Sequence, residues 1–529
     1  MAEDSLLSSS SAAENSPLLL SPLVLATTTI AITTVFLKYY WSDQRRMETA
    51  LAKQGIPARY RWSLPFVGHV EQFWDYERLL LESFDQTPPL SYFTLFGDVL
   101  LIIGNVELST RLWPKFQTWD KCAVFYSMLD VLFGTNERTL LTQIEHDTDP
   151  QWQCKRDLVS QAMYKDKLNQ QLAPFIEVHV KDLCEQWLTQ GHGIDVDHDL
   201  TALTLRVIIH FIFGPQQEDL TTSVQKIQKA LQDVVDLAWT INTNPLAAIQ
   251  QMIPETHAYQ VTQNFRGCIR ELIEKAKAKT KTTDKNCQEE EMPALIHAML
   301  AQRWKPEILE NEVMTLLFAG HDTTAHATAI ALENCVNHPR VVQAIRQEYK
   351  DLVLPKKEDG ATCFYNNMKW PMAAWKESLR LNPETAGGTI RLAPDDIHLS
   401  DDLVIPKGCA VLSPFWVYSS AEGNWGPDAK QFRPERFLPS NNNGNNNNNN
   451  NNNVSNSTCP RKYIPFSQGK RNCVGMPLAY MEGSMLLGYI LEHLDITIEA
   501  PAKKVFKVTV RVEDFTISAK RRQTSQEQA

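Results

Sequence analysis

One cysteine set between glycines near the C-terminal end constrains this chain more than any other feature. The run is Phe466-Ser-Gln-Gly469-Lys-Arg471-Asn-Cys473-Val-Gly475, followed by an apolar, helix-competent stretch from Met476 to Leu491. Cysteine is a ligand only as thiolate, which must be stabilised against protonation. Gly469 and Gly475 let backbone approach a flat bound group and adopt positive φ where needed. Backbone N–H groups of such a loop, with the N-terminus of the following helix, can point at the sulfur. Arg471 can face an anionic group through a charge-assisted hydrogen bond. A buried core cysteine beside a turn would account for the cysteine, but not for the pattern around it.

Three further segments precede this loop. Trp152-Gln-Cys-Lys-Arg156 puts Trp and Arg at i, i+4 on one helix face. Ala319-Gly320-His321-Asp322-Thr323-Thr324 lies in an apolar helical stretch bounded by Pro306 and Pro339. Small residues at 319 and 320 let a helix pass close to a bound group, and Thr323 offers a hydroxyl there. Asp322 is unusual in an apolar helix middle and suits proton relay. The same Thr-Thr step could also satisfy itself on its own i−4 carbonyls. Glu377-Ser-Leu-Arg380 sets an acid and a base on one face at i, i+3.

In this order the four segments resemble the W-x-x-x-R, A-G-x-D/E-T-T/S, E-x-x-R and cysteine-loop motifs of the cytochrome P450 family. The resemblance implies a haem b whose iron is held by Cys473, a thiolate ligand that favours O–O cleavage. It implies haem contacts at Trp152, Arg156, Ala319, Gly320, Arg391, Phe466, Gly469, Arg471 and Gly475, with the arginines facing propionates. Asp322 and Thr323 take the catalytic roles, feeding protons and steadying oxygen. Glu377 and Arg380 become a buried structural pair reaching Arg436 in Phe432-Arg-Pro434-Glu435-Arg436-Phe437.

Length alone, 529 residues, suggests roughly three or four domains. The motifs stretch from Trp152 to Gly475 and must converge on one cofactor, so one catalytic domain is expected over 62–520. Helical patterns run over 155–190, 199–214, 222–250, 256–277, 306–337, 340–353 and 368–381. Strand-like runs occupy 90–104, 388–399, 403–413 and 504–518. This agrees with the implied fold, mainly α with small β-sheets. A net charge of −10 without a basic, aromatic-laced cluster excludes nucleic acid as a partner. Ten scattered cysteines without C-x-x-C spacing argue against a zinc site or a disulfide framework.

Residues 1–17 read as a polar tail, and Leu18 to Leu37 as a transmembrane anchor of twenty uncharged residues. Tyr39, Tyr40 and Trp41 fit an interface belt, and Lys38, Arg45 and Arg46 mark the cytoplasmic side. The expected topology is single-pass in the endoplasmic reticulum membrane, catalytic domain in the cytosol, with 38–61 as linker. Residues 441–458, nearly all asparagine up to 453, read as a disordered insert, and 521–529 as a polar tail.

The resemblance implies a monooxygenase that inserts one atom of dioxygen into a lipophilic fatty acid, sterol or isoprenoid. No flavin or nicotinamide fingerprint appears, so NADPH electrons are expected through a separate flavoprotein reductase, with cytochrome b5 as a further candidate donor and membrane lipid as a contact. The expected pocket walls are the 120–135 loop, Thr315 to Ala319, Ala386 to Thr389 and a 504–518 loop, with the Glu384 carboxylate on the surface. Two other functions stay open: a haem-thiolate isomerase or dehydratase acting on lipid hydroperoxides, and a non-catalytic haem-binding membrane protein. Retention of Asp322 and Thr323 favours the monooxygenase.

Overall fold

The computed structural model describes residues 42–59, 63–64, 68–69 and 90–523, apart from 96, 136, 145–149, 215–219, 244–249, 251–252, 283–293, 355–366, 386, 440–462 and 508. The expected anchor at 18–37, the 1–17 tail, the asparagine block and most of the 521–529 tail lie outside the described residues. Among the described residues no helix is long and apolar enough to cross a membrane.

Helices dominate: α1 (Val106–Phe116), α2 (Ala123–Leu132), α3 (Pro150–Ala162), α4 (Ala173–Gln190), α5 (Val196–Phe213), α6 (Leu220–Thr243), α7 (His257–Thr282), α8 (Pro306–Val336), α9 (Pro339–Leu352), α10 (Lys369–Leu381) and α11 (Met476–His493). Shorter helices fill connections. The stretch expected as one helix over 155–190 is three, with Lys165–Gln171 between α3 and α4. Tyr164 breaks it by going extended (φ −63°, ψ 136°), and Pro174 sits in the first turn of α4, where its missing N–H costs nothing. The expected 120–135 loop contains α2.

The strands are β1 (Ser63–Leu64), β2 (Gly68–His69), β3 (Leu90–Leu95), β4 (Asp98–Ile103), β5 (Ile194–Asp195), β6 (Thr389–Leu392), β7 (Ile397–Ser400), β8 (Leu403–Ile405), β9 (Ala410–Ser413), β10 (Leu494–Ala500), β11 (Lys503–Phe506), β12 (Val510–Glu513) and β13 (Thr516–Arg521). They form small sheets, the largest ordered β1-β2-β3-β4-β9-β6. Within it only β4 and β9 pair in parallel. The 90–104 run folds back at Gly97, whose φ of +90° suits a residue without Cβ. The C-terminal run likewise splits: β11 pairs with β12, and β13 leaves for β10 and β5.

Helix α8 carries apolar or small residues on all faces and is buried along most of its length, as a core helix must be. It packs on α5, where Thr204 Oγ1 donates to the His321 carbonyl at 3.0 Å. On its other flank, Trp375 of α10 donates through Nε1 to Thr328 Oγ1 at 3.2 Å. The Trp375 indole fits only because Gly483 of α11 lies beneath it: a Cβ there would stand 2.3 Å from the ring. This layer of α8, α10 and α11 carries the cysteine loop. Gly483→Ala should therefore destabilise the fold by about 1–3 kcal/mol, as overpacked cores do. Denaturant unfolding checks this, and an unchanged midpoint would show that the Trp375 contact is soft.

Candidate active site

The loop before α11 is closed by its own backbone. Cys473 N–H donates to the Phe466 carbonyl at 2.9 Å, and Asn472 N–H to Gly469 at 3.1 Å. Gly469 has φ +77° and lies against Gln117, where a Cβ would stand 2.5 Å from its Oε1. Gly475 has an ordinary φ of −79° and begins α11; its role is proximity, since a Cβ would sit 3.8 Å from Cys473 Sγ. Positive φ is thus needed at 469, and close approach at 475. Phe466 stacks on Trp375 at 6.4 Å and meets Tyr480 edge-on at 5.0 Å.

The N–H groups of Gly475 and Met476 point at the Cys473 sulfur, and the Arg156 charge lies nearby. Burial raises the thiol above its ordinary value; these donors and this charge oppose the rise. The sulfur reaches solvent through a cavity of about 270 Å³, which it lines with Trp152, Arg156, Ala319, Thr323, Phe466, Arg391 and Arg471. Four basic residues line it, because Lys121 joins the three arginines. Burial, then Arg471, Arg391 and Arg156, push the Lys121 ammonium well below its usual value. Its Nζ donates to the Leu141 carbonyl.

Two of the three expected arginines, Arg156 and Arg471, are anchored on backbone carbonyls. Arg156 donates to the carbonyl of Asn472 at 2.6 Å and to its side chain, clamping the cysteine loop from α3. Arg471 donates to the Gln143 carbonyl and stacks on Trp152, 4.3 Å from the ring centre, while Trp152 Nε1 donates to the Leu140 carbonyl at 3.1 Å. Arg391 on β6 is buried, and its Nε and Nη1 find no partner among the described residues. Burying unpaired guanidinium atoms beside three other cations is unfavourable unless an anion joins them. A flat group carrying two carboxylates, with a metal reaching Cys473, satisfies that demand. Haem fits these residues.

Helix α8 forms another wall. Ala319 and Thr323 face the cavity, and the Thr323 hydroxyl donates to the Ala319 carbonyl at 3.0 Å, as a self-satisfied step would. That bond uses the proton and leaves the oxygen lone pairs for the cavity. Gly320 turns the other way: a Cβ would meet Ile208 of α5 at 2.9 Å, so its smallness serves helix packing. Asp322 also faces away, towards a second cavity of about 370 Å³ lined by Thr201, Gln232 and Arg511. It accepts from Arg511 Nη2 at 3.1 Å, from Thr509 Oγ1 at 3.2 Å and from His326 Nε2 at 3.1 Å, while His326 Nδ1 lies 2.8 Å from Asp197.

The buried pair Glu377–Arg380 forms as expected. Arg380 Nε and Nη2 reach the two carboxylate oxygens at 2.7 and 2.8 Å, Arg436 Nε lies 3.3 Å from Oε1, and the Arg433 backbone N–H donates at 2.9 Å.

Two residues near the site escaped sequence reasoning. Lys121 belongs to no motif, though it lies in the 120–135 segment expected to wall the pocket, and its isolated bridge with Arg391 sets it beside that arginine. Glu384, expected on the surface, is 5% exposed and lines the cavity. Its backbone carbonyl accepts from Val510 N–H at 2.8 Å, which pins the turn after α10 against β12 and draws the side chain inside. Among the described residues, none of the expected wall from 504–518 lines that cavity.

Burial would raise the Asp322 carboxyl, but His326 and Arg511 outweigh it and hold it well below the usual range. Burial would lower His326, yet Asp322 and Asp197 raise it to about 10. The imidazolium therefore contributes stability that is complete below the free value of 6.5 and is lost as pH rises through about 10. The depressed Asp322 adds stability above its free value of 3.8 that disappears as pH falls further. The stability gap between wild type and His326→Gln should shrink between pH 6.5 and about 10 in denaturant melts. A gap that widened would place the proton elsewhere.

Comparison with known proteins agrees with this geometry. A family model described as Cytochrome P450 matches residues 120–517. Cytochrome P450 734A2 of Oryza sativa subsp. japonica is 25% identical over 513 residues, 86% of this chain and 86% of that protein. The Bifunctional cytochrome P450/NADPH--P450 reductase 2 of Bacillus subtilis (strain 168) is 23% identical over 402 residues, 73% of this chain and 35% of that protein. Cytochrome P450 4F12 of Homo sapiens is 34% identical over 190 residues, 35% of this chain and 33% of that protein. The chain thus spans well under half of the bifunctional relative, whereas it aligns along most of the rice protein. With a family match over more than half its length, the chain belongs to the cytochrome P450 family.

Proposed function

We propose that the protein is a monooxygenase inserting one atom of dioxygen into a lipophilic substrate, with electrons from a separate NADPH-dependent flavoprotein reductase. The observation that carries this reading is that Cys473 and Thr323 line one cavity beside a cluster of cations. Haem held by Cys473 would supply oxygen activation, for which thiolate donation favours O–O cleavage. Arg156, Arg391, Arg471 and Lys121 would hold its carboxylates and fix its plane. Thr323 presents its hydroxyl oxygen to the distal space as an acceptor, and turning the hydroxyl from the Ala319 carbonyl would let it pass on a proton there.

Asp322 supports this from the far side of α8. It is ionised and held by Arg511, His326 and Thr509, so delivering a proton requires it to turn from those partners. The second cavity beside it offers a route for protons that does not cross the substrate chamber. Leu316, Ala319 and Phe415 make part of the chamber wall apolar, which suits a fatty acid, sterol or isoprenoid-like lipid.

The B. subtilis relative's name joins a P450 to an NADPH–P450 reductase. Here the same electron route would use a second protein, with cytochrome b5 as a further donor. The uncharged run from Leu18 to Leu37 and the basic, aromatic residues after it support a single-pass anchor in the endoplasmic reticulum membrane with the catalytic domain in the cytosol.

Incubation with a flavoprotein reductase, NADPH, a lipid library and heavy dioxygen tests the reaction. Heavy oxygen should appear in an NADPH-dependent product. Product formed without NADPH and without heavy oxygen would instead establish an isomerase. In the same assay Thr323→Ala should lower product per NADPH by roughly a hundredfold, the lower end of lost acid–base assistance, with electrons diverted to peroxide or water. Unchanged coupling would remove Thr323 from the mechanism. Cys473→Ser should abolish the thiolate-type carbon monoxide spectrum, and its retention would refute the ligand assignment.

A further inference from the structure

We propose that Glu384 is a specificity-determining residue that receives a hydroxyl group of the substrate, so that the natural substrate is an apolar lipid bearing a hydroxyl. This rests on reading the cavity as the haem and substrate chamber. Glu384 is 5% exposed and lines that chamber together with Leu316, Ala319 and Phe415. Neither of its carboxyl oxygens has a hydrogen-bond partner among the described residues. Buried polar groups are nearly always paired, and an exception calls for a role.

The neighbouring cations are committed elsewhere. Lys504 Nζ donates to Asn382 Oδ1 at 2.6 Å, and His326 is held between Asp322 and Asp197. The turn that carries Glu384 is not free to swing it out, because its carbonyl is tied to Val510 N–H at 2.8 Å. In the same cavity, the buried Thr389 Oγ1 likewise has no partner among the described residues. Two residues with unmatched polar atoms in a partly apolar wall describe a subsite for one polar group on a hydrophobic body.

The chemistry of that group follows from the surroundings. Burial raises the Glu384 carboxyl well above its ordinary value, which favours the neutral acid. A neutral acid both donates and accepts, and a hydroxyl does the same, so the two exchange a complementary pair of bonds. An ammonium would require the ionised form, which burial disfavours. A bare hydrocarbon leaves the acid unpaired and is rejected, since a site built for a hydroxyl discriminates strongly against the analogue lacking it.

The test is a binding cycle on the haem-loaded protein, read from the ferric haem absorption spectrum and not from turnover. Dodecanol and chlorododecane are matched probes, because chlorine neither donates nor accepts appreciably. Each is titrated into wild type, Glu384→Gln and Glu384→Leu, with Glu384→Ala repeating the comparison where the leucine variant does not fold. The preference for the alcohol over the chloride should fall roughly tenfold in the leucine or alanine variant, and less than about twofold in the glutamine variant, which still donates and accepts. The thiolate-type carbon monoxide spectrum is recorded for each variant. An unchanged preference with that spectrum intact overturns the Glu384 assignment and leaves the haem-thiolate reading standing. Failure of both probes to perturb the wild-type spectrum overturns it too. Absence of the thiolate-type spectrum from wild type overturns the haem-thiolate reading, and this proposal with it.

Discussion

The Glu377 carboxylate is the point on which the rest of the structure hangs. It and Arg380 are both fully buried, and one carboxylate engages Arg380, Arg436 and the Arg433 backbone together. Arg380 continues to the Ser419 carbonyl, and Arg436 to the carbonyls of Trp425 and Asp428. A buried charge is tolerated only when so fully paired, and removing one partner typically costs about 3–5 kcal/mol. This network ties α10 to the chain segment that leads into the cysteine loop. Phe437 of that segment packs on Tyr463, which precedes the cysteine loop, with ring centres 4.8 Å apart, and Phe466 of the loop stacks on Trp375 of α10.

From that base the site is built by charge balance. Three arginines and a lysine gather at one cavity, and the partnerless guanidinium atoms of Arg391 mark where negative charge belongs. Cys473 receives two backbone N–H groups and an arginine charge. Helix α8 presents a methyl at 319 and a hydroxyl at 323 to the chamber, while its acid at 322 is turned to a separate, polar cavity. The helix therefore separates the two cavities, and Thr323 faces the one that Cys473 also lines.

Much of the site was readable in the sequence because its chemistry is carried locally. A cysteine between glycines, an acid and base at i, i+3, and Trp and Arg at i, i+4 depend on loop and helix geometry that spacing specifies. The periodicities located the helices for the same reason. They did not reveal the breaks at Tyr164 and Gly97, which depend on single backbone conformations. Nor did they show which way a helical side chain faces. Ala319 and Gly320 are adjacent small residues with the same expected role, yet one faces the chamber and the other a neighbouring helix.

The sequence by itself determined the family, the cysteine loop, the buried acid–base lock and the helical class, since each is written in residues a few positions apart. Only the tertiary structure decided the fourth cation, Lys121, which reaches the site through its bridge with a strand far away in the chain. It also decided that Asp322 is paired away from the chamber by Arg511 of β12. It brought Glu384 inside, because a backbone bond from Val510 folds that turn inward. The physical reason is common to all three. Each depends on contacts between segments distant in the chain, and local spacing carries no information about which distant group will arrive.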